Sequence, residues 1–281
     1  MFKLPKLQGQ SVPHSEKYII YFSCDYNYFD RHGFALQQSI NRTVSWVHVH
    51  CHIINEGNMN TTVLDTLKDA YKFTYSYENV DDLFYHNMPK NKSKMKEGFD
   101  IFKTRDIDYI GRRTYLASVR FMRMKELFTL PDQHILQLDC DSILRNGFHM
   151  NDFIHLTTHP AVMPKPKDKG VYIASALSIG TGDAGMTFRK VFSDAMIEGF
   201  ENGCYWFIDQ DILRSVANNW ATNGNSLAHI GYKWNAWGLK RDEIFSTGKG
   251  NKKNDIRYLR AQFNWLPIHW KEKLRKEVQG I

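Results

Sequence analysis

The sequence has no long apolar run. None of its segments approaches the ~18 uninterrupted apolar residues of a membrane-spanning helix, and residues 1–17 lack the apolar block of a signal peptide. We therefore expect a soluble, cytoplasmic protein. That expectation leaves room only for weak contact with a membrane surface.

Cysteine is scarce and scattered. Cys24, Cys51, Cys140 and Cys204 form no C-x-x-C pair, so the sequence predicts neither a disulfide framework nor a thiolate zinc cluster. Reduced thiols are what we expect of a cytoplasmic chain.

Repeats, low-complexity tracts and a continuous basic stripe are also missing. The formal net charge of +7 favours anionic partners in general. The basic residues do not alternate with aromatics along one stripe, which disfavours a nucleic-acid-binding module. The basic tail, residues 271–281, is short and alternately charged, so a solvated terminal helix is favoured over a membrane-binding one.

Strands and helices alternate along the chain. β-branched and aromatic residues predict strands, and apolar residues at helical spacing predict helices between them. This order is typical of a single α/β domain whose parallel sheet is covered on both faces. The predicted strands are 18–23, 45–54, 134–138, 161–163 and 172–179, and the predicted helices are 34–40, 63–71, 115–128 and 188–200.

Residues 87–113 are charged and weakly periodic. We interpret this segment as a long loop. It is either solvated surface or a lid that closes over a phosphate-bearing ligand.

Two aspartates follow directly on the apolar strand 134–138. Side chains alternate along extended backbone, so Asp139 and Asp141 point to one side and Cys140 to the other. Carboxylates are hard ligands for Mn²⁺ or Mg²⁺, which keep open positions for phosphate oxygens. Such an ion would neutralise the charge on a departing nucleotide diphosphate. A D-x-D alone also fits a surface turn, but the buried strand before it favours the metal site.

The same residues resemble a known family. The segment Leu138-Asp139-Cys140-Asp141-Ser142-Ile143-Leu144, with Arg120 in the helix before it, is similar to the D-x-D core of GT-A fold glycosyltransferases, especially family 8, the glycogenin and galactosyltransferase-like group. The likeness runs in the same order from about residue 18 to residue 270. It implies one Rossmann-like domain over 1–281 with a mostly parallel central sheet. Residues 18–150 would form its nucleotide-binding half, 151–270 its donor-sugar and acceptor half, and 271–281 a tail.

The resemblance assigns donor-binding residues. Asp25, Asn27 and Tyr28 match the element that holds the nucleobase, with an aromatic to stack and a carboxylate to accept an N–H. An Asx turn at the strand end is the alternative. Arg120 and Cys140 would also lie at the donor, although Arg120 as an exposed helix residue is the competing interpretation.

Residues in the second half match the elements around the transferred sugar. Asp183 stands where the family has Asn, at a donor-sugar contact, which leaves the donor sugar open. Asp209 would bind the sugar or the acceptor, and Gln210 would present its carbonyl to the developing oxocarbenium ion. The alternative for Asp209 is a helix cap.

The family also has a C-terminal histidine as third metal ligand. His269 fits by order, and His229 is a second candidate. The Gly and Lys-Pro-Trp that follow this histidine in the family are missing after His269. A phosphate contact from Lys271 goes with His269.

A second histidine group lies in the strand 45–54. His48, His50 and His52 share one face of that strand, which suggests zinc. Positions i and i+4 of a strand are about 13 Å apart, so all three cannot bind one ion. A structural or solvent-facing strand is favoured over a two-histidine site.

The resemblance implies metal-dependent transfer of a sugar from a UDP-sugar to an unidentified acceptor, with retention of configuration. Inverting transfer would need a general base, for which Asp183, Asp209 or Asp211 would be available. The alternative is a metal-dependent nucleotidyltransferase or phosphoesterase that uses the same Asp pair.

Overall fold

The computed structural model describes residues 2–165, 168, 170–237, 242–248 and 250–279. The strands are β1 (Gln8–Gly9), β2 (Tyr18–Asp25), β3 (His48–Asn55), β4 (Phe73–Asn79), β5 (His134–Leu138), β6 (Ser142–Leu144), β7 (Pro160–Pro164), β8 (Tyr172–Ile179), β9 (Ala228–His229), β10 (Asn235–Ala236) and β11 (Phe245–Thr247).

Twelve α-helical segments occur in the described residues. They are α1 (Tyr26–Tyr28), α2 (Phe34–Thr43), α3 (Thr61–Ala70), α4 (Asp82–Asn87), α5 (Lys96–Phe102), α6 (Ile107–Met122), α7 (Met124–Leu127), α8 (Met150–Thr157), α9 (Gly182–Glu201), α10 (Ile208–Thr222), α11 (Ile256–Phe263) and α12 (Ile268–Gln279). A π-helical turn at Phe29–Gly33 joins α1 to α2. No helix in these ranges is both long and apolar enough to cross a bilayer.

Eight strands form the central sheet in the order β1-β4-β3-β2-β5-β8-β7-β9. The middle of the sheet, β4-β3-β2-β5, is parallel, as expected from the alternation of strands and helices. β8 runs antiparallel to β5 and to β7. The expected α/β fold with a mostly parallel sheet is therefore confirmed. The antiparallel direction of β8 was not predicted from the sequence.

Both faces of the sheet are covered. Along β2, Ile19 and Tyr21 pack into one core cluster and Ile20 and Phe22 into the other, and all four are fully buried. Helices α6, α9 and α10 supply the first cluster, and α2, α3 and α8 the second. Burial on two faces explains why β2 reads as a continuous apolar run.

The segment 87–113 is not a long loop. It contains α5 and the first turns of α6, and Met95 and Ile110 are fully buried. Asp106 caps α6 by accepting the N–H groups of Asp108 and Tyr109 at 2.9 and 3.1 Å. Lysines between the apolar positions make the helical periodicity of the apolar residues difficult to detect in the sequence.

The histidines of β3 form a buried ladder with β4. His48 Nε2 lies 2.8 Å from the Thr74 hydroxyl, whose oxygen is 2.9 Å from His50 Nδ1. Ser76 Oγ then bridges His50 Nε2 and His52 Nδ1, both at 3.0 Å, and His52 Nε2 lies 3.3 Å from Glu78. The structural interpretation of these histidines is confirmed, in a fully buried rather than solvent-facing form.

A small second sheet places the C-terminal region beside the D-x-D segment. β11 pairs antiparallel with β6, so Thr247 lies opposite Ser142. The following Gly248 donates its N–H to the Asp141 carbonyl at 3.0 Å. A Cβ at Gly248 would lie 2.5 Å from the Tyr258 ring, so only glycine allows this close approach.

Candidate active site

A cavity of about 410 Å³ opens where β2 and β5 end. These two strands are parallel neighbours, so their carboxyl ends meet at one edge of the sheet. The predicted residues that line the cavity are Asp25, Tyr28, Arg120, Asp139, Cys140, Asp141, Asp209 and Gln210. Residues from both predicted halves thus meet in one place.

Arg120 holds the first aspartate. Its Nη1 lies 2.7 Å from Asp139 Oδ1, and its Nη2 donates to the Ala174 carbonyl at 3.0 Å. The Arg120 side chain is only 8% exposed, which rules out the interpretation as an exposed helix arginine. Asp139 also donates its N–H to the Ser175 carbonyl at 2.9 Å.

Lys253 and Tyr28 hold the second aspartate. Lys253 Nζ lies 2.7 Å from Asp141 Oδ2, and the Tyr28 hydroxyl donates to the same oxygen at 2.9 Å. Lys253 also contacts the Tyr28 hydroxyl. Burial works to raise the pKa of Asp141, but the positive charge of Lys253 and these hydrogen bonds outweigh it and lower the pKa. Asp141 is therefore an ionised carboxylate at neutral pH.

His32 lies behind this pair and stays neutral. It is almost fully buried, its ring centroid is 4.6 Å from that of Tyr28, and Gln262 Nε2 is 3.0 Å from its Nδ1. Burial lowers the pKa of His32 to about 3, although Asp141 opposes the shift. The histidine adds no charge to the cavity.

Asp25 both caps the short helix that follows its strand and lines the cavity. Its Oδ1 accepts the Tyr28 N–H at 2.9 Å and so caps the short α1, as an Asx turn would. The same residue lines the cavity. Asn27 is exposed and does not line it.

Asp209 and Gln210 begin α10. The Gln210 N–H donates to Asp209 Oδ1 at 2.9 Å and to the Phe207 carbonyl at 3.0 Å. Phe207 has φ 72°, a left-handed conformation that is unusual for a bulky residue. Asp209 therefore lies in the first turn of α10 and lines the cavity, but the helix cap is Phe207 and not Asp209.

Asp183 lies at the opposite edge of the sheet. Because β8 is antiparallel to β5, the chain leaves β8 near the start of β5, where Gly182 donates its N–H to the Pro131 carbonyl. Asp183 is exposed there. Its expected donor-sugar contact is wrong. The start of β8 takes that place, since Ile173, Ala174 and Ser175 line the cavity.

The predicted C-terminal histidine does not reach the Asp pair. His269 Nε2 lies 2.9 Å from Asp30, which also accepts the Trp270 indole N–H at 2.6 Å. His229 is exposed on the edge strand β9. Lys271 donates to the Asn264 carbonyl at 3.1 Å. The assignments of His269 to a metal and Lys271 to phosphate are corrected accordingly.

The residues around the Asp pair do not fit the expected Mn²⁺ or Mg²⁺. Among the described residues, no group of three or more His, Cys, Asp or Glu side chains is arranged to hold a metal ion. Arg120 and Lys253 each lie 2.7 Å from one of the carboxylates.

Those two cations oppose a divalent ion electrostatically. An ion about 2.1 Å from Asp141 Oδ2 would lie within about 5 Å of Lys253 Nζ. Repulsion between +2 and +1 at that distance is on the order of 7 kcal/mol at an effective dielectric constant of 20. Metal binding would carry this repulsion as a cost while Lys253 stays beside Asp141.

A second, larger cavity of about 700 Å³ adjoins the first. The two share a wall formed by Ile101, Trp206, Phe207 and Gln210. No pattern in the sequence indicates this arrangement, because the residues of α5 are typical of a charged loop. Two molecules, one in each cavity, would meet at Gln210.

Comparison with known proteins identifies the fold. No family model and no curated protein matches the sequence. The galactosyltransferase LgtC, solved with donor and acceptor sugar analogs, superposes with a TM-score of 0.52 at 12% identity over 91% of this chain and 99% of its own.

Two further glycosyltransferase structures are similar. GlyE of Streptococcus pneumoniae TIGR4 has a TM-score of 0.52 at 16% identity, and the match covers 92% of this chain and 63% of that protein. The bifunctional WbbM has a TM-score of 0.55 at 13% identity, and the match covers 94% of this chain and 52% of that protein. The chain therefore has the GT-A fold expected from the D-x-D resemblance, over nearly its whole length.

Proposed function

We propose that this chain is a glycosyltransferase that moves a sugar from a nucleotide-diphosphate sugar, a UDP-sugar, to an acceptor. The observation that carries the proposal is the cavity at the carboxyl edge of the sheet. It brings Asp25, Arg120, Asp139 and Asp141 together with Gln210, in a fold shared with glycosyltransferases of known structure.

The nucleotide would lie along the ends of β2 and β5. Asp25 accepts the Tyr28 N–H with Oδ1, and its Oδ2 would accept an N–H of the base. The Tyr28 ring is contacted by His32 and by Lys253 Nζ, at 4.6 and 4.8 Å. We therefore assign Tyr28 to holding Asp141 rather than to stacking on the base.

The transferred sugar would lie against the start of α10. Gln210 lines both cavities, so its side chain can face the anomeric carbon where donor and acceptor meet. Asp209, nearly buried beside it, would bind a sugar hydroxyl. In a retaining transfer, the acceptor approaches from the side on which the diphosphate leaves.

The adjoining cavity is the natural place for the acceptor. Its wall includes Trp206 and Tyr205, and aromatic rings of this kind pack against the apolar faces of sugars. Lys94 and Arg214 line it as well. The acceptor would reach the donor past Phe207 and Gln210.

A donor screen tests this proposal. The protein is incubated with individual UDP-sugars and a glycan acceptor library, and release of UDP is measured. Gln210→Ala should lower the transfer rate by about 100-fold, since it removes a group that faces the reacting carbon. Gln10→Ala, at an exposed position, is the matched control and should transfer at the normal rate.

The products separate the alternatives. Release of pyrophosphate or inorganic phosphate, and not UDP, would establish the alternative function of this chain as a nucleotidyltransferase or phosphoesterase. NMR of the product anomer would test retention.

A further inference from the structure

Lys253 occupies an unusual position beside the Asp pair. In the proposed reaction this pair faces the donor diphosphate, and two bare carboxylates would repel that group. Lys253 Nζ lies 2.7 Å from Asp141 and also contacts the Tyr28 hydroxyl. An ammonium group has three N–H donors, so one remains for a phosphate oxygen.

The fold holds Lys253 in this place. β11 runs back along β6, and Gly248 N–H and the Tyr258 hydroxyl both donate to the Asp141 carbonyl. A turn of 3₁₀ helix, Gly250–Asn254, then carries Lys253 over the cavity. The lysine is thus positioned by contacts on both sides of its loop, and its side chain is 28% exposed.

The strand beside Asp141 offers no ligand that would compete with Lys253. The Thr247 hydroxyl, which lines the cavity, is engaged by Ser142 at 2.8 Å and by Asn235 at 2.7 Å. The sequence has no Asp, Glu, His or Cys at residues 238–241 or 249–254. The cation that this part of the chain supplies to Asp141 is an ammonium group.

Arg120 completes the charge arrangement. Its guanidinium contacts Asp139, as Lys253 contacts Asp141. Together the two side chains supply two positive charges at the carboxylate pair, which equals the charge of one divalent ion. An ammonium and a guanidinium are both strong donors to phosphate oxygens.

We propose that Lys253, assisted by Arg120, takes the place of a divalent metal ion in this enzyme and binds the diphosphate of the donor. The inference rests on the proposed function. In the transfer step, the bond between the anomeric carbon and the diphosphate oxygen breaks, and its electron pair leaves with that oxygen. Lys253 neutralises the resulting charge. The acceptor oxygen bonds to the anomeric carbon, and its proton passes to the departing diphosphate.

Calorimetric titration with UDP in excess EDTA tests the binding part. The protein as isolated should bind UDP without added metal. Lys253→Met should weaken binding by about 10- to 100-fold, the effect of losing a hydrogen bond to a charged group, and Lys253→Arg should restore much of it. Lys72→Met is the matched control, because Lys72 pairs with Glu16 on the surface at 3.2 Å, and it should bind normally.

Turnover tests the catalytic part. UDP release from the preferred UDP-sugar should be the same in EDTA and in Mn²⁺. In Lys253→Met, which leaves Asp141 without its cation, turnover should fall and added Mn²⁺ should partly restore it. A melting curve for each variant shows whether it is folded, and Lys253→Gln, which also removes the cation, replaces Lys253→Met if that variant does not fold.

Different outcomes overturn different statements. Transfer that EDTA abolishes and Mn²⁺ restores in the unmodified protein would overturn the inference and leave the proposed function standing. UDP binding that is equal in Lys253→Met and the unmodified protein would overturn it as well. If no UDP-sugar is turned over and UDP does not bind in EDTA or Mn²⁺, the proposed donor itself is wrong.

Discussion

Arg120 and Asp139 form a largely buried ion pair, and such pairs are costly to break on one side only. The Arg120 side chain is 8% exposed and also donates to the Ala174 carbonyl. Arg120→Met would leave Asp139 and a buried carbonyl without this partner, so it should lower the free energy of unfolding by about 3–5 kcal/mol. Urea denaturation followed by circular dichroism measures the change.

A second arginine–aspartate pair offers the comparison. Arg257 contacts Asp255 at 2.7 Å with its side chain 63% exposed. Arg257→Met should leave the urea midpoint unchanged, because exposed ion pairs contribute little. Equal losses in both variants would show that burial does not set the strength of the Arg120 pair.

All four cysteines are buried, and two of them touch. Cys24 and Cys140 have their sulfur atoms 3.1 Å apart beneath the Asp pair. Burial raises the pKa of both thiols, so neither is a reactive thiolate at neutral pH. Both line the cavity but are only 4% exposed, so the native protein should react slowly with the thiol reagent DTNB, and all four thiols should react at once in guanidinium chloride. Rapid labelling of the native protein would contradict this burial.

At the scale of elements, the paired strands β3 and β4 make stability depend on pH. Burial lowers the pKa of His48 to about 4 from 6.5 and lowers the pKa of His50 as well. Between those values the unfolded chain binds a proton that the folded chain does not. Stability should therefore fall as the pH drops from about 6.5 to about 4, by roughly 3 kcal/mol from His48 alone.

His48→Gln tests this pH dependence. The glutamine amide can replace the contact of His48 Nε2 with Thr74 and does not titrate. The variant should lose less stability than the unmodified protein between pH 6.5 and pH 4, as measured by urea midpoints. His14→Gln, at an exposed site, should follow the unmodified protein. Parallel pH curves for His48→Gln and the unmodified protein would refute the assignment.

The sequence predicts which segments are strands, but it does not predict the direction of each strand in the sheet. The period and composition of β2, β3 and β5 identify them, and D-x-D at the end of β5 fixes the edge where the cavity opens. Whether β8 runs parallel or antiparallel is decided by its packing between β5 and β7. Composition does not carry that information, so the sequence predicts the wrong edge of the sheet for Asp183.

Long-range contacts explain the other errors. Lys253 meets Tyr28 across 225 positions of sequence, and no local pattern around a lysine in a polar segment indicates such a partner. His269 has the right order along the chain for a metal ligand, but α12 packs so that it pairs with Asp30. Order along the chain limits the candidates, and only packing selects among them.

At the scale of the whole molecule, one sheet joins the two predicted halves. β5 belongs to residues 18–150 and β8 to residues 151–270, yet they are hydrogen-bonded neighbours. The boundary at residue 150 therefore does not divide the sheet. We expect one cooperative unfolding transition. Far-ultraviolet circular dichroism and tryptophan fluorescence should give the same urea midpoint, and two separated midpoints would show that the halves unfold independently.

The lysine beside Asp141 also affects how the enzyme would behave in a cell. A metal ion is drawn from a shared pool, and its supply changes with growth conditions and with competition from other proteins. The Lys253 side chain is instead synthesised as part of every chain, so a shortage of metal does not remove it. The amount of active enzyme would then follow synthesis of the chain, independent of manganese supply.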